Sequence, residues 1–294
     1  MKRKVVKHGY ATLTVSLPSI WVKKHGIKQG DEVEIALQRK SLIINPERKK
    51  SSKFVEIHIP TSEKFSPRDI TRLYVLGYDE IKVTFQDKNV ISLIEREISY
   101  LLGFEIVTVT ENTCVIKNVA QGIEEQFENM LNRLLFILIS MGEELEEGLK
   151  RSNYDKVKLT LTKEIECNKL SLFCRRMFNI QDYQGEKNPY ILYTLITMIE
   201  ATMDEFRFLA EFVLTHKPKI RKEIFTFFQY INKMNRSFYS LFKHFDQELF
   251  IQFRMERKMA EKNVEKFYKL GSSNIYVFNR LYTVQELVHH MTYF

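Results

Sequence analysis

The chain has 294 residues, 44% of them hydrophobic and 28% charged, with ten Gly and six Pro, the composition of a soluble globular protein with room for two or three domains. No run of about 18 uninterrupted apolar residues occurs, which argues against a membrane span and an integral membrane protein. The formal net charge of +8 is confined to residues 1–50, where 12 Lys and Arg face Asp31, Glu32, Glu34 and Glu47, while the rest of the chain carries 33 charges of each sign. Clustered positive charge attracts polyanions by releasing condensed counter-ions, so a small basic head on a neutral body points to a nucleic-acid-binding module fused to something else.

The start, Met1-Lys-Arg-Lys-Val-Val-Lys7, lacks the apolar stretch and small-residue cleavage site of a signal peptide. Cys114, Cys167 and Cys174 show no paired zinc spacing and read as small core residues, so a reduced, cytoplasmic setting is expected.

Residues 1–48 alternate short β-rich runs with turn signals. Arg3–His8 and Thr12–Leu17 read as strands around Gly9-Tyr10. Pro18 opens a short helix to His25, at a position where no backbone N–H is needed, and Gly26 closes it as a C-cap. Gln29-Gly30-Asp31 turns into a strand over Glu32–Leu37, and Arg39-Lys40 turns again into Ser41–Asn45. Such a β-β-α-β-β unit is too short to bury a good core alone. Strand pairing with a second copy is the expected remedy, with cover from the middle domain the alternative.

A basic linker, Arg48-Lys49-Lys50-Ser51-Ser52, leads to residues 53–118. There, strands are expected at Phe54–Ile59, Glu80–Phe85, Phe104–Thr110 and Thr113–Lys117. Helices are expected from Ser66-Pro67 to Leu76 and over Asn89–Leu102, stopped by Gly77 and Gly103. The β-α-β-α-β-β order predicts a two-layer α+β domain, a spacer or dimerisation surface, with no phosphate loop, His/Cys cluster or nucleophile–base pair. From residue 119 the pattern is helical throughout, and 18 of the 22 Phe fall there. Breaks at Arg151-Ser152-Asn153, Gln184–Pro189, His216-Lys217-Pro218 and Gly271-Ser272-Ser273, with a bend near Asp246, divide it into about six helices of an antiparallel bundle.

Within that zone, polar pairs recur four residues apart, a spacing that puts both side chains on one helical face. Glu200 and Asp204 flank an apolar stripe of Leu195, Ile199, Met203 and Phe206; Glu164 and Asn168, Glu261 and Glu265, and Gln285 and His289 repeat the spacing. Two carboxylates at one site repel unless a proton or cation relieves them, so the pairs read either as metal-binding faces or as solvated surface. His289 and His290 read mainly as surface or capping residues. The Phe and Met stripes read as core. Glu164…Asn168-Lys-Leu set beside Glu261…Glu265-Lys-Phe points to two three-helix repeats.

The segment Lys4–Ile35, with its Ser16-Leu17-Pro18, Trp21-Val22-Lys23, Gly26-Ile27 and Gly30-Asp31 spacing, resembles an AbrB-type swapped-hairpin DNA-binding domain. With Leu76-Gly77-Tyr78-Asp79, Leu102-Gly103-Phe104-Glu105 and the helical tail, the whole chain is similar to archaeal PhoU-like phosphate uptake regulators. The resemblance implies a multidomain α+β fold: a swapped-hairpin β-barrel over 1–48, a small α+β domain over 53–118 and an all-α bundle of two three-helix repeats over 119–294. It also implies an intertwined homodimer formed through the head. Lys2, Arg3, Lys4, Lys7, Lys23 and Lys24 fall at or near its DNA-contacting cations, while Tyr10 stands where many members have a basic residue. For the bundle it implies a divalent ion (Fe, Zn, Mn or Mg), matched by Glu200 and Asp204. Asn168 departs from the acidic pattern, and Gln285 and His289 stand where an acidic pair is expected.

The expected function is that of a DNA-binding transcriptional regulator of phosphate uptake or a related transport pathway, with a helical sensing or docking domain and no catalysis. The alternative is a protein-interaction regulator of a phosphate transporter or signalling kinase, in which the head mainly dimerises.

Overall fold

In the computed structural model, residues 1–38, 41–46, 52–120, 126–180, 188–262 and 271–293 are described. The chain divides into two compact units, Met1–Ser52 and Lys53–Phe294. The Arg39-Lys40 turn, most of the basic linker, the Gln184–Lys187 part of a helix break and Glu265 lie outside the described residues.

In the first unit, β1 (Val5–His8) and β2 (Thr12–Val15) form an antiparallel hairpin that pairs Val5 with Val15 and His8 with Thr12. Gly9, at φ 69°, makes the turn in the left-handed region open to a residue without Cβ. Helix α1 (Ser19–His25) begins after Pro18 and ends at Gly26, again left-handed, whose N–H reaches the Lys23 carbonyl. A second hairpin joins β3 (Val33–Gln38) to β4 (Ser41–Pro46). The expected barrel is not closed within one chain: each hairpin is a separate two-stranded sheet. Closing a barrel needs every strand paired on both edges, and here each strand pairs on one edge alone.

The second unit begins with a four-stranded sheet in the order β5-β6-β8-β7, formed by β5 (Phe54–Ile59), β6 (Glu80–Phe85), β7 (Phe104–Val109) and β8 (Thr113–Asn118). Strand β5 runs parallel to β6, and β8 antiparallel to both β6 and β7. The alternation in β6 sends Ile81, Val83 and Phe85 into the core, and Lys82 to a 3.1 Å ion pair with Glu56 of β5. Helix α2 (Pro67–Val75) starts at Ser66 through a capping box with Asp69 and buries Ile70 and Tyr74. Helix α3 (Asn89–Ile98) buries Val90, Ile94 and Ile98 at successive four-residue steps. It stops four residues before the expected Leu102, and turns carry Leu101 on into the same core.

The helices that follow are α4 (Phe127–Lys150), α5 (Tyr154–Ile180), α6 (Pro189–His216), α7 (Lys222–Lys243), α8 (Gln247–Glu261) and α9 (Ser272–Met291). They share one apolar core, in which α5 packs against α4 and α6, and α7 against α4, α8 and α9. Sheet and bundle meet at Arg176 of α5, only 1% exposed. Its guanidinium donates to the carbonyls of Tyr74 and Tyr78 at 2.7 Å and to Asp79 Oδ1 at 2.6 Å, and lies 5.0 and 4.9 Å from the Tyr74 and Phe104 rings. Asp79 Oδ2 also accepts the Lys53 N–H at 3.2 Å, and the Asp79 carbonyl accepts the Asn118 N–H at 2.8 Å. One carboxylate residue therefore ties the points where the chain enters and leaves the sheet to the bundle. Among the described residues, no helix is long and apolar enough to cross a membrane.

Candidate nucleic-acid interface

Six cations single out the head. Lys2, Arg3 and Lys4 precede β1, Lys7 lies within it opposite Leu13, and Lys23 and Lys24 occupy the last turn of α1. All six are exposed, and none forms an ion pair with another described residue. The carbonyl end of α1 carries partial negative charge, which favours cations in its last turn. The hairpin keeps its register through ladder bonds and a 3.1 Å bond from the Thr14 hydroxyl to the Val6 carbonyl. Tyr10, at the turn, is exposed, with the Lys7 ammonium 5.9 Å from its ring centroid. Trp21 lies half-buried with its ring 5.2 Å from that of His25. A further exposed cation, Lys28, follows α1 in a turn where its N–H donates to Asp31 Oδ2 at 2.7 Å; the charge count contained it, but no spacing argument singled it out. Chemically, this surface offers mobile ammonium and guanidinium groups to phosphate oxygens.

In the bundle, Glu164 and Asp204 come together around Arg207, while Glu200 and Glu261 are paired by other arginines. Glu200 is bound by Arg175 of α5, whose guanidinium also lies 6.0 Å from the Tyr193 ring. Asp204, one turn on, belongs to Arg207 instead: Nε lies 3.4 Å from Asp204 and 3.6 Å from Glu164, and a terminal nitrogen lies 2.8 Å from Glu211. Asn168 donates to Glu164 Oε1 at 2.6 Å. Burial pushes the Glu164 carboxyl above its usual range, against the lowering pulls of Asn168 and Arg207. Glu261 pairs with Arg257 at 2.8 Å, and the same arginine reaches Glu286 at 3.3 Å. His289 hydrogen-bonds the Tyr293 hydroxyl at 3.1 Å; burial, then the Arg257 charge, hold its pKa below the usual value. Gln285 is fully buried on the same helix. Among the described residues, no three His, Cys, Asp or Glu side chains are arranged to hold a metal ion. Sequence reasoning missed the arginines; Asp204, Arg207 and Glu211 stand three and four residues apart, but Arg175 reaches Glu200 from another helix.

Residues 9–53, most of the head, match the family described as antidote-toxin recognition MazE, bacterial antitoxin. No curated protein matches the chain. The structure is similar to that of the phosphate transport system regulatory protein PhoU from Streptococcus pneumoniae, with a TM-score of 0.45 and 11% sequence identity over 57% of this chain and 91% of that one.

Proposed function

We propose that the protein is a homodimeric, DNA-binding transcriptional regulator without catalytic activity. Lys2, Arg3, Lys4, Lys7, Lys23 and Lys24 contact phosphates, and the helical unit senses an effector or docks a partner. The observation that carries this reading is the exposure of all six cations on a head holding the chain's whole net charge. Contacts of this kind position the protein on the duplex, and sequence preference then comes from base edges or DNA shape. Regulation is linkage: an effector that prefers one state of the helical unit shifts DNA affinity by the same factor that DNA shifts effector affinity. The process regulated, in this reading, is phosphate uptake or a related transport pathway, from the whole-chain resemblance through Leu76–Asp79 and Leu102–Glu105.

The test is fluorescence anisotropy of the full chain on a random-sequence duplex across a salt series, because the phosphate term is independent of sequence. Log affinity is expected to fall linearly with log salt, and each of Lys7→Gln, Lys23→Gln and Lys24→Gln to reduce the slope by about two, one phosphate contact being lost from each copy of the dimer. A salt-insensitive affinity, or none, removes this reading.

A further inference from the structure

The metal that the resemblance implies does not fit the residues that would hold it. A divalent ion needs several oxygens with lone pairs turned to one point. Around Glu164 that space is taken: Oε1 accepts the Asn168 amide at 2.6 Å and faces Arg207 Nε at 3.6 Å. Asn168, moreover, presents its donor nitrogen where a ligand oxygen is required. Arg207 keeps its charge at any physiological pH, so a dication brought between Glu164, Asp204 and Glu211 meets a cation already in place.

We infer that Arg207 is the built-in counter-ion of the Glu164, Asp204 and Glu211 carboxylates, so that the helical unit folds and works without a divalent metal at this site. Other arginines pair with bundle carboxylates in the same way, among them Arg175 on Glu200, Arg257 on Glu261 and Glu286, and Arg280 on Glu205 at 3.0 Å. Arg207 and Arg280 also lie 4.1 and 4.8 Å from the one Phe208 ring, which fixes two guanidinium groups beside a single aromatic anchor. A mobile metal ion makes assembly depend on its supply. A covalently attached guanidinium does not, and any effector that the bundle senses must then act elsewhere or by another chemistry.

The experiment uses the full chain purified without a histidine tag. Its melting temperature is expected to stay within about 1 °C on adding EDTA, Mn²⁺ or Zn²⁺, since a ligand that does not bind the native state cannot stabilise it. Arg207→Gln is expected to lower the melting temperature by about 3–6 °C by leaving like charges facing one another. Glu164→Gln added to that variant is expected to recover at least half of the loss, because it removes the most buried of the three charges. A wild-type melt lowered by EDTA overturns the inference, as does a stoichiometric ion lost from Glu164→Gln/Asp204→Asn. So does an Arg207→Gln variant as stable as the wild type. Should Arg207→Gln yield no folded protein, the double variant decides: a folded Glu164→Gln/Arg207→Gln protein supports the inference and an unfolded one overturns it.

Discussion

Burial sets the chemistry of the three cysteines. Cys114 on β8 and Cys167 and Cys174 on α5 are all fully buried. Burial pushes the Cys114 thiol up to about 11, the Cys174 thiol to about 12 and the Cys167 thiol higher still. The thiolate is the reactive form, so at pH 8 a disulfide reagent such as DTNB is expected to titrate no thiol in the native chain and three after denaturation. Rapid reaction of any native thiol would show that the packing around it opens. Asp87 shows the opposite shift. It accepts the N–H groups of Ser62 at 3.0 Å and Asn89 at 2.9 Å, and bonds from the Ser62 side chain and the Asn89 backbone hold its carboxyl below the ordinary aspartate value. Below that value the unfolded chain binds the proton more readily than the folded one, so this contribution is present above about pH 4 and lost as the pH falls further. Asp87→Ala is therefore expected to lower the melting temperature at pH 6 by a gap that narrows toward pH 3. An equal gap at both values would mean that the carboxylate's charge plays no part.

At the scale of elements, the seam between sheet and bundle centres on Arg176, beside which Asn179 of the same helix donates to the Val75 carbonyl at 2.8 Å. Arg176→Met removes the common donor of two carbonyls and the Asp79 carboxylate, and a buried acceptor left without its bond costs about 1–3 kcal/mol. The expected readout is a lower urea midpoint, together with faster amide exchange at Lys53, whose N–H rests on Asp79. Unchanged exchange at Lys53 would show that Asp79 holds the strand entrance without Arg176. Gly77→Ala tests the same seam by shape: at φ 84°, an added Cβ would stand 2.5 Å from Ile180 Cγ2, and a loss above about 1 kcal/mol is expected. The strands beside this seam were legible because Ile81, Val83 and Phe85 alternate with Glu80, Lys82 and Thr84, and alternation is a local signal. Arg176 was not, because its partners lie 97 to 102 residues away. Similarly, the head's cations could be counted in the sequence, whereas the four-residue spacing of Glu200 and Asp204 gave their shared face without showing that two different arginines claim them.

The whole molecule pairs a unit with well-buried cores and a head that has none. No described side chain of residues 1–46 is buried, and Leu13, Ile20 and Leu37 are 70%, 77% and 85% exposed. A unit of about fifty residues buries too little surface to be stable alone, and its two open hairpins carry apolar side chains that a second copy would cover. In the proposed dimer, these residues and the six cations have separable tasks. Leu13→Glu/Leu37→Glu is expected to convert a dimer into a monomer in sedimentation equilibrium. It should also weaken DNA binding by at least about tenfold, since two linked sets of phosphate contacts become independent. Lys23→Gln/Lys24→Gln is expected to weaken DNA binding while leaving the dimer mass unchanged. A wild-type chain that sediments as a monomer and still binds DNA with a steep salt dependence would separate the two properties. The head would then be a DNA-binding surface that does not need a second copy.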